Sequence, residues 1–400
     1  MKRSGHADLP LHNGRVPKWL AERMSLLGRA ITESVILEYG KAEFIKRMSD
    51  PAWFQSLGCV LGMDWHSSGI TTSVMGALKS SLNPIAQDLG IYICGGRGKH
   101  SRKTPDELLH IAQKTGLNGN ELVKSSRLTA KVDNTAIQDG FQIYLHSFIL
   151  SDEGEWAVVQ QGMNGASGYA RRYHWHSKDL KSFTEEPHQF VYGKNQGLIL
   201  NLTHQEAKQT KASIMEIASE NPDRMINEIK KIKLPAHHDV RQKDIDIKRL
   251  GTVLALAQDL PTRNFEELLL LQGLGPRTLQ SLTLVSEVIY GTPSRFSDPA
   301  RFSFAHGGKD GHPFPVPIKI YDESIQVLSK AVEKAKMSES DKLRSIKALS
   351  TAAERMEKDF QATGNLDDVI EKERQDSWKY GGRTVMGHAK KPAPNQLALF

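Results

Sequence analysis

Residues 139–161, DGFQIYLHSFILSDEGEWAVVQQ, decide the fold class of this chain. Two apolar arms flank a polar, glycine-containing turn at 151–154, which predicts an antiparallel β-hairpin. Residues 88–116, DLGIYICGGRGKHSRKTPDELLHIAQKTG, predict a strand, a basic glycine loop and a helix that opens at Thr104. A further strand is predicted in HQFVYGKNQGLILNLT, residues 188–203.

Helical periodicity dominates the rest of the chain. One helix is predicted over 17–48, and the segment 58–79, GCVLGMDWHSSGITTSVMGALK, predicts a strand, a turn and then a strand or helix. Residues 205–230 and 243–290 have helical patterns separated by a basic stretch with a proline. The sequence therefore predicts an α+β fold, in which an N-terminal mixed α/β domain precedes a helical domain.

The domain boundaries follow these changes in pattern. We expect an α+β candidate catalytic domain at 1–204 and a helical domain at 205–320. A charged helical pair is predicted at 321–361. Residues 362–400 are rich in Gly, Lys and Pro, cannot build a core, and predict a flexible tail.

Composition limits the classes of function. With 39% hydrophobic residues among 400, the chain can bury substantial cores, which excludes a wholly disordered protein. Its two cysteines exclude a disulfide scaffold and an all-cysteine zinc site, and predict buried thiols. The sequence contains neither a secretory signal nor an apolar run long enough for a membrane span, so we expect a cytoplasmic protein with no membrane partner. A net charge of +7 favours a polyanionic partner.

The clearest local motif is NFEELLLLQGLGPRTLQSLTLVSEVIYG, residues 264–291. It resembles the helix-hairpin-helix motif of DNA repair and replication proteins, whose LxGxGxxT pattern matches Leu271, Gly273, Gly275 and Thr278. The glycines permit close approach of the backbone to a phosphate, the second helix offers its positive N-terminal end, and Arg277 adds a charge. We expect DNA as the partner and leave RNA open. The alternative is an ordinary connection between two helices with glycine as a C-cap.

The resemblance raises the question of base excision. Bifunctional DNA glycosylases with this motif carry a lysine just before the threonine, where this sequence has Arg277, and an arginine cannot form a Schiff base. Asp298 is the nearest match to their catalytic aspartate, although its place before Pro299 also fits a helix N-cap. A monofunctional DNA glycosylase therefore stays as an alternative.

Clusters of polar residues in the N-terminal half suggest a metal site. Asp64 and His66 follow an apolar run, where a carboxylate can bind a metal or act as a general base. His174 and His176 share one side of a predicted strand, and two histidines at that spacing can bind a metal together. The expected cofactor is a divalent metal, Mg²⁺ or Mn²⁺, and its predicted ligands are Asp64, His66, Asp139, His174 and His176.

The predicted catalytic residues are Asp64, His66 and Asp310. Asp310 lies in the glycine-rich stretch 306–312, where it also fits a plain turn. The basic loop after the second predicted strand lacks the spacing of a nucleoside-triphosphate loop, so we expect it to bind nucleic-acid phosphates. The predicted nucleic-acid-binding residues are Arg97, Lys99, Arg102, Lys103, Gly273, Gly275, Arg277 and Lys309.

The last five residues form a second recognisable motif. Gln396, Leu397, Leu399 and Phe400 resemble the pentapeptide that binds the bacterial sliding clamp, in which a Leu-x-Leu-Phe group enters an apolar groove. Tethering by such a peptide would raise the local concentration of the protein at DNA. The alternative is a tail that packs against its own protein.

Three long blocks carry a resemblance over most of the chain: RSGHADLPLHNGRVPKWL at 3–20, LGMDWHSSGITTSVMGALK at 61–79 and DPARFSFAHGGKDGHPFPVP at 298–317. Together they resemble the bacterial and archaeal domain-of-unknown-function family 763, over about residues 3–330. This resemblance implies no established activity.

The residues favour a DNA-processing enzyme of repair or replication, a metal-dependent nuclease recruited by the sliding clamp. The alternatives are a non-catalytic, clamp-recruited DNA-binding adaptor and the monofunctional glycosylase. Convergence of the polar clusters on one pocket would favour an enzyme, whereas their dispersal would favour an adaptor.

Overall fold

The computed structural model describes a large part of the chain. The described residues are 9–10, 16–63, 68–193, 195–231, 247–259, 262, 264–300, 318–335, 338, 340–347, 383–384 and 387–388. The strands are β1 Leu9–Pro10, β2 Ile91–Arg97, β3 Ile137–Gln138, β4 Gln142–Ser151, β5 Trp156–Asn164, β6 Tyr169–His176, β7 Phe190–Tyr192, β8 Leu198–Asn201, β9 Phe296–Ser297, β10 Arg383–Thr384 and β11 Gly387–His388. The helices are α1 Lys18–Tyr39, α2 Lys41–Ser49, α3 Pro51–Val60, α4 Gly69–Leu82, α5 Ala86–Leu89, α6 Thr104–Thr115, α7 Gly119–Lys131, α8 Lys208–Ser219, α9 Pro222–Lys231, α10 Ile247–Asp259, α11 Phe265–Leu270, α12 Pro276–Tyr290 and α13 Ile318–Lys334.

The predicted α+β class and the predicted hairpin are both confirmed. Strands β4 and β5 pair antiparallel, and the backbone N–H of Ser151 donates to the carbonyl of Glu155 (2.9 Å) to close the turn. The sheet runs in the order β1-β6-β5-β4-β2, and β7 also pairs with β6. A second sheet, β3-β8-β9, has short strands and brings the chain after α12 back to the chain before β4.

Helices cover both faces of the main sheet. Side chains alternate between faces along a strand, so Ile149 and Val159 face a core made with α1 to α4 and α13. Phe148 and Val158 face the other core, to which α6, α7, α8, α10, α11 and α12 contribute. The architecture therefore has three layers, with an antiparallel sheet in the middle.

The predicted domain boundary at 204 falls inside a shared core. Trp175 of β6 and Leu279 of α12 belong to the same cluster of buried residues, although the boundary separates them in sequence. Beyond residue 320, α13 packs against α1 and α3 through Val327, Leu328 and Val332. Of the predicted tail, only the short pair β10–β11 is among the described residues.

One strand prediction and one helix prediction needed correction. The apolar run before Asp64 belongs to α3, which begins at Pro51 with the carboxylate of Asp50 as its N-cap acceptor. Because α3 is buried on nearly all sides, it lacks the polar face by which a helix differs from a strand in sequence. The single helix predicted over 17–48 is two helices, since Gly40 between them adopts a left-handed φ of 86°.

Two further observations concern membrane-spanning helices and the burial of the two cysteines. No described helix combines the length and the apolarity that crossing a membrane requires. Cys94 is buried, and its burial raises the pKa of the thiol well above its ordinary value, whereas Cys59 is only partly buried.

Candidate nucleic-acid interface and buried polar clusters

The turn between α11 and α12, residues 271–275, is the feature the sequence singled out for phosphate binding. Leu271 and Leu274 are buried and fix the turn to the core, and the N–H of Leu274 donates to the carbonyl of Leu271 (3.2 Å). Gly273 is exposed, with a φ of 87° that favours glycine. Arg277 is exposed in the first turn of α12, which contains no acidic residue. The turn thus presents glycine backbone and a cation at a helix N-terminus.

Two distant side chains hold this turn in place. The ammonium of Lys131, at the end of α7, donates to the carbonyl of Leu274 (2.5 Å). The amide of Gln138 donates to the carbonyl of Pro276 (2.7 Å). Each residue lies more than 130 positions away in the sequence, so no local pattern could have identified it.

The predicted basic loop, residues 95–103, comprises the last residues of β2 and a short 3-10 helix at Gly98–Lys103. Arg97, Lys99, Arg102 and Lys103 are all exposed there, as expected for phosphate contacts. Gly95, the first residue of the loop, has a structural role: a Cβ at this residue would lie 2.2 Å from the carbonyl oxygen of His146, and its N–H donates to Glu107 (2.7 Å). The cations of the loop, rather than its first glycine, are therefore available to a ligand.

Asp139, a predicted metal ligand, is buried in an ion pair. Its carboxylate accepts from the guanidinium of Arg171 (2.7 Å) and from the hydroxyl of Tyr173 (2.6 Å). Arg171 also forms a bidentate pair with Asp298, at 3.0 and 2.8 Å. Burial opposes the charged form of Arg171, but the two carboxylates outweigh it and raise the pKa of the guanidinium. Both aspartates are thus occupied by protein partners.

His174 and His176 lie on the other face of the sheet from Asp139. Both project from the same side of β6, as the sequence predicted, but each has a protein partner: Arg172 donates to His174 (2.9 Å), and His176 pairs with Glu155 (2.8 Å). Burial and the adjacent Arg172 hold the pKa of His174 well below its ordinary value. The structure does not bring Asp139 together with these histidines, and the described residues contain no group of three or more metal-binding side chains.

Arg172 forms a buried polar cluster on that same face. Its guanidinium donates to Gln55 (2.9 Å) and Thr71 (3.3 Å), and stacks on the rings of Phe54 and Tyr192. Burial lowers the pKa of Arg172 to about 10, because no carboxylate among the described residues compensates its charge. The hydroxyl of Thr71 donates to Gln161.

The Arg172 cluster includes a residue that is adjacent in sequence to a predicted catalytic segment. The amide of Gln161 donates to the carbonyl of Ser68 (2.9 Å), the residue that follows 64–67 in the chain. Asp64 and His66 themselves lie outside the described residues. So do Lys309, Asp310, Gln396, Leu397, Leu399 and Phe400.

A second buried cluster, centred on Asp133, was not predicted. Asp133 accepts from Gln160 (2.5 Å) and from the indole of Trp175 (2.8 Å), and it pairs with His188. His146 contacts Gln160 through one ring nitrogen and Ser126 through the other, both at 2.8 Å. Burial lowers the pKa of His146 to about 4, so this ring is neutral at physiological pH. These residues are scattered in sequence, and the packing of α7 and the segment after it against the sheet brings them together.

A polar pocket of about 370 Å³ lies beside α12. Its lining includes the amides of Gln138, Asn164, Gln196 and Gln280, together with Asp139 and Arg295. Because Asp139 is committed to Arg171, the pocket offers amide groups rather than an available acid–base pair.

The chain belongs to the family described as protein of unknown function DUF763, whose model matches residues 5–316. The resemblance expected from the three sequence blocks is therefore confirmed. No curated protein and no solved structure matches the chain.

The buried neutral histidines predict an acid-sensitive fold. His146 has a pKa of about 4 in the folded protein and 6.5 as its ordinary value, so the unfolded chain binds more protons between these two pH values. The free energy of unfolding should be at its full value above about pH 6.5. It should fall by about 3 kcal/mol, from His146 alone, as the pH drops to 4. Urea unfolding across this range measures the free energy.

Variants identify the group responsible. His146→Gln should flatten this pH dependence, whereas the same change at the exposed His110 should leave it as in the wild type. An unchanged slope in His146→Gln would show that this ring does not titrate as its burial requires.

Proposed function

We propose that this protein binds the phosphate backbone of DNA through the turn 271–275 and the start of α12. The observation that carries the proposal is the exposed glycine turn at a helix N-terminus, with Arg277 in the first helical turn. The first N–H groups of a helix have no intrahelical partner, and the helix dipole favours an anion there. Such contacts are made to the backbone and are independent of sequence.

The cationic surroundings support the same partner. The chain has a net charge of +7, and the exposed cations of the basic loop add to the charge of Arg277. Neutralisation of phosphates by these groups releases counterions, so the affinity for DNA should fall steeply with added salt.

Gly275→Thr tests the turn without straining it. Gly275 is the N-cap of α12 with a φ of −128°, which other residues adopt freely, and threonine caps a helix about as well as glycine. The added side chain should keep phosphate from the turn and weaken binding of duplex DNA by roughly tenfold or more, alike for all sequences. Fluorescence anisotropy with two unrelated duplexes measures this.

The matched control is Gly291→Ala, at the other end of α12. Gly291 has a φ of 67° and is exposed, so alanine there strains the same helix far from the turn. This variant should lose some stability and retain its DNA affinity. Equal binding by Gly275→Thr and the wild type would refute a backbone-binding turn.

The C-terminal pentapeptide gives the proposal its context. We propose that Gln396, Leu397, Leu399 and Phe400 recruit the protein to the bacterial sliding clamp, which places it in DNA repair or replication. Deletion of 396–400 should abolish clamp binding and leave the melting temperature unchanged. A short segment that orders on binding should have an affinity on the order of micromolar, measurable by calorimetry. A lowered melting temperature without clamp binding in the intact protein would instead indicate a C-terminus that packs on the fold.

A metal-dependent nuclease is the second candidate, and the Arg172 cluster favours it. A buried guanidinium without a carboxylate is costly, and it would stabilise an anion such as a phosphate or a metal-binding carboxylate. The cluster reaches Ser68, next to the predicted catalytic residues Asp64 and His66. The other predicted ligands, Asp139, His174 and His176, have protein partners and do not converge, which favours the adaptor. Asp298 is equally committed to Arg171, so the geometry does not support a glycosylase.

Asp64→Asn separates the nuclease from the adaptor. Single-stranded, duplex and flap DNA would be incubated with Mg²⁺, Mn²⁺ or EDTA. If the wild type cleaves DNA with metal, the variant should lose cleavage and keep its DNA affinity, because only a charge has been removed. Binding without cleavage by the wild type in all conditions would leave the adaptor as the function.

A further inference from the structure

Helix α7 has a basic face that the sequence motifs do not include. Lys124, Arg127 and Lys131 recur at spacings of three and four residues, which places them on one side of the helix. The buried residues Leu122, Ser126 and Thr129 are on the opposite side. Glu121, the acidic residue of α7, lies three residues before Lys124 and borders the N-terminal edge of the basic face. Toward the C-terminus of α7, from Arg127 to Lys131, this side of the helix carries only positive charge.

One end of this face meets the turn before α12. Lys131 donates to the carbonyl of Leu274, between Gly273 and Gly275, and α7 packs against α11. Arg127, one turn earlier in α7, is exposed and makes no ion pair or hydrogen bond with any described residue. The charge at this helix is thus continuous with the proposed backbone-binding turn.

The basic loop lies on the other side of α7. Helix α6 begins directly after the loop and packs against α7, to which residues 116–118 connect it. The two basic segments of the sequence, although about 170 positions apart, therefore flank the same helix.

Electrostatics makes this arrangement a candidate binding surface. Among the described residues, Lys99, Arg102 and Arg127 have no acidic partner, so their charges are not neutralised within the fold. Seven residues of α7 span about 10 Å, and with the flanking segments the surface extends on the order of 20 Å. That length corresponds to about six base pairs of duplex DNA.

We propose that α7 joins the basic loop and the turn before α12 into one continuous track for the backbone of duplex DNA. Lys124 and Arg127 contact phosphates in this track, and Lys131 positions the turn. The inference rests on the proposed DNA binding and extends it to residues outside both motifs.

The test is the double variant Lys124→Gln/Arg127→Gln, compared with the wild type in salt titrations. Loss of two phosphate contacts should reduce the slope of log affinity against log salt by about two and weaken binding at low salt by roughly tenfold or more. The matched control is Lys18→Gln/Lys46→Gln, which removes two exposed cations from the helical layer on the other face of the sheet. This control should keep the wild-type slope.

Duplex length provides a second readout. Wild-type affinity should rise until the duplex covers the whole track, at about six base pairs or slightly more, and the α7 double variant should lose most of that rise. Melting temperatures of both variants should stay close to the wild type, because Arg127, Lys18 and Lys46 are exposed and Lys124 is only half-buried.

The outcomes separate this inference from the proposed function. If Gly275→Thr loses affinity while the α7 variant keeps the wild-type slope and length dependence, the turn binds DNA and the track is wrong. If the wild type binds no duplex at low salt, both proposals fail. Tighter binding of single strands or of duplex RNA than of duplex DNA would overturn the assignment of the track to duplex DNA.

Discussion

The buried guanidinium of Arg171 holds together three segments that are far apart in sequence. It pairs with Asp139 before β4 and with Asp298 after β9, while its own strand, β6, lies inside the main sheet. Asp298 also accepts from the backbone of Gln196 (2.8 Å) and Ala300 (2.9 Å), so its remaining lone pairs are used. Removal of one partner from such a pair typically costs about 3–5 kcal/mol, since a buried charge is left uncompensated. This contact therefore ties the chain after α12 to the main sheet.

The hydrophobic periodicity of the sequence predicted the amphipathic elements, whose buried and exposed sides differ in polarity. The β4–β5 hairpin, the strand and helix around the basic loop, and the α11–α12 pair all combine periodicity with turn residues, and the structure has each of them. The start of α3 at Pro51 follows the proline signal, but the pattern failed at the apolar run from residue 58, which was predicted as a strand, because a helix buried on nearly all sides has no polar face to reveal its period. Family membership was also readable from three blocks, although it carries no activity.

The candidate sites were harder to predict, since polar residues near strands can either bind a ligand or form buried pairs with other residues of the protein. The sequence placed His174 and His176 on one side of a strand, which is correct, but it could not show that Arg172 and Glu155 already occupy them. The sequence likewise could not show that Asp139, a predicted metal ligand, pairs with Arg171, which lies 32 positions away. Partners at such separations depend on sheet register and tertiary packing, which single-residue spacing does not encode. The exposure of the basic loop was easier to predict, because several cations close together in a glycine-rich stretch are seldom all buried.

Separate buried polar clusters have a further consequence for the character of the sheet. Arg172 lies on one face and the Asp133 cluster on the other, each hydrogen-bonded to several neighbours within a largely apolar layer. Networks of this kind restrict the sheet to one register, because a shift of one residue would move every charge to the wrong face. Rigid presentation of the flanking loops is what a surface for backbone binding requires.

The packing of α13 shows that the folded domain extends beyond the region matched by the family model. The family match ends at residue 316, yet α13 begins at Ile318 and inserts Val327, Leu328 and Val332 against α1 and α3. Full burial of each such side chain contributes roughly 1.5–3 kcal/mol. A polypeptide ending at the family boundary would leave an apolar trough along α1 open to water and prone to self-association.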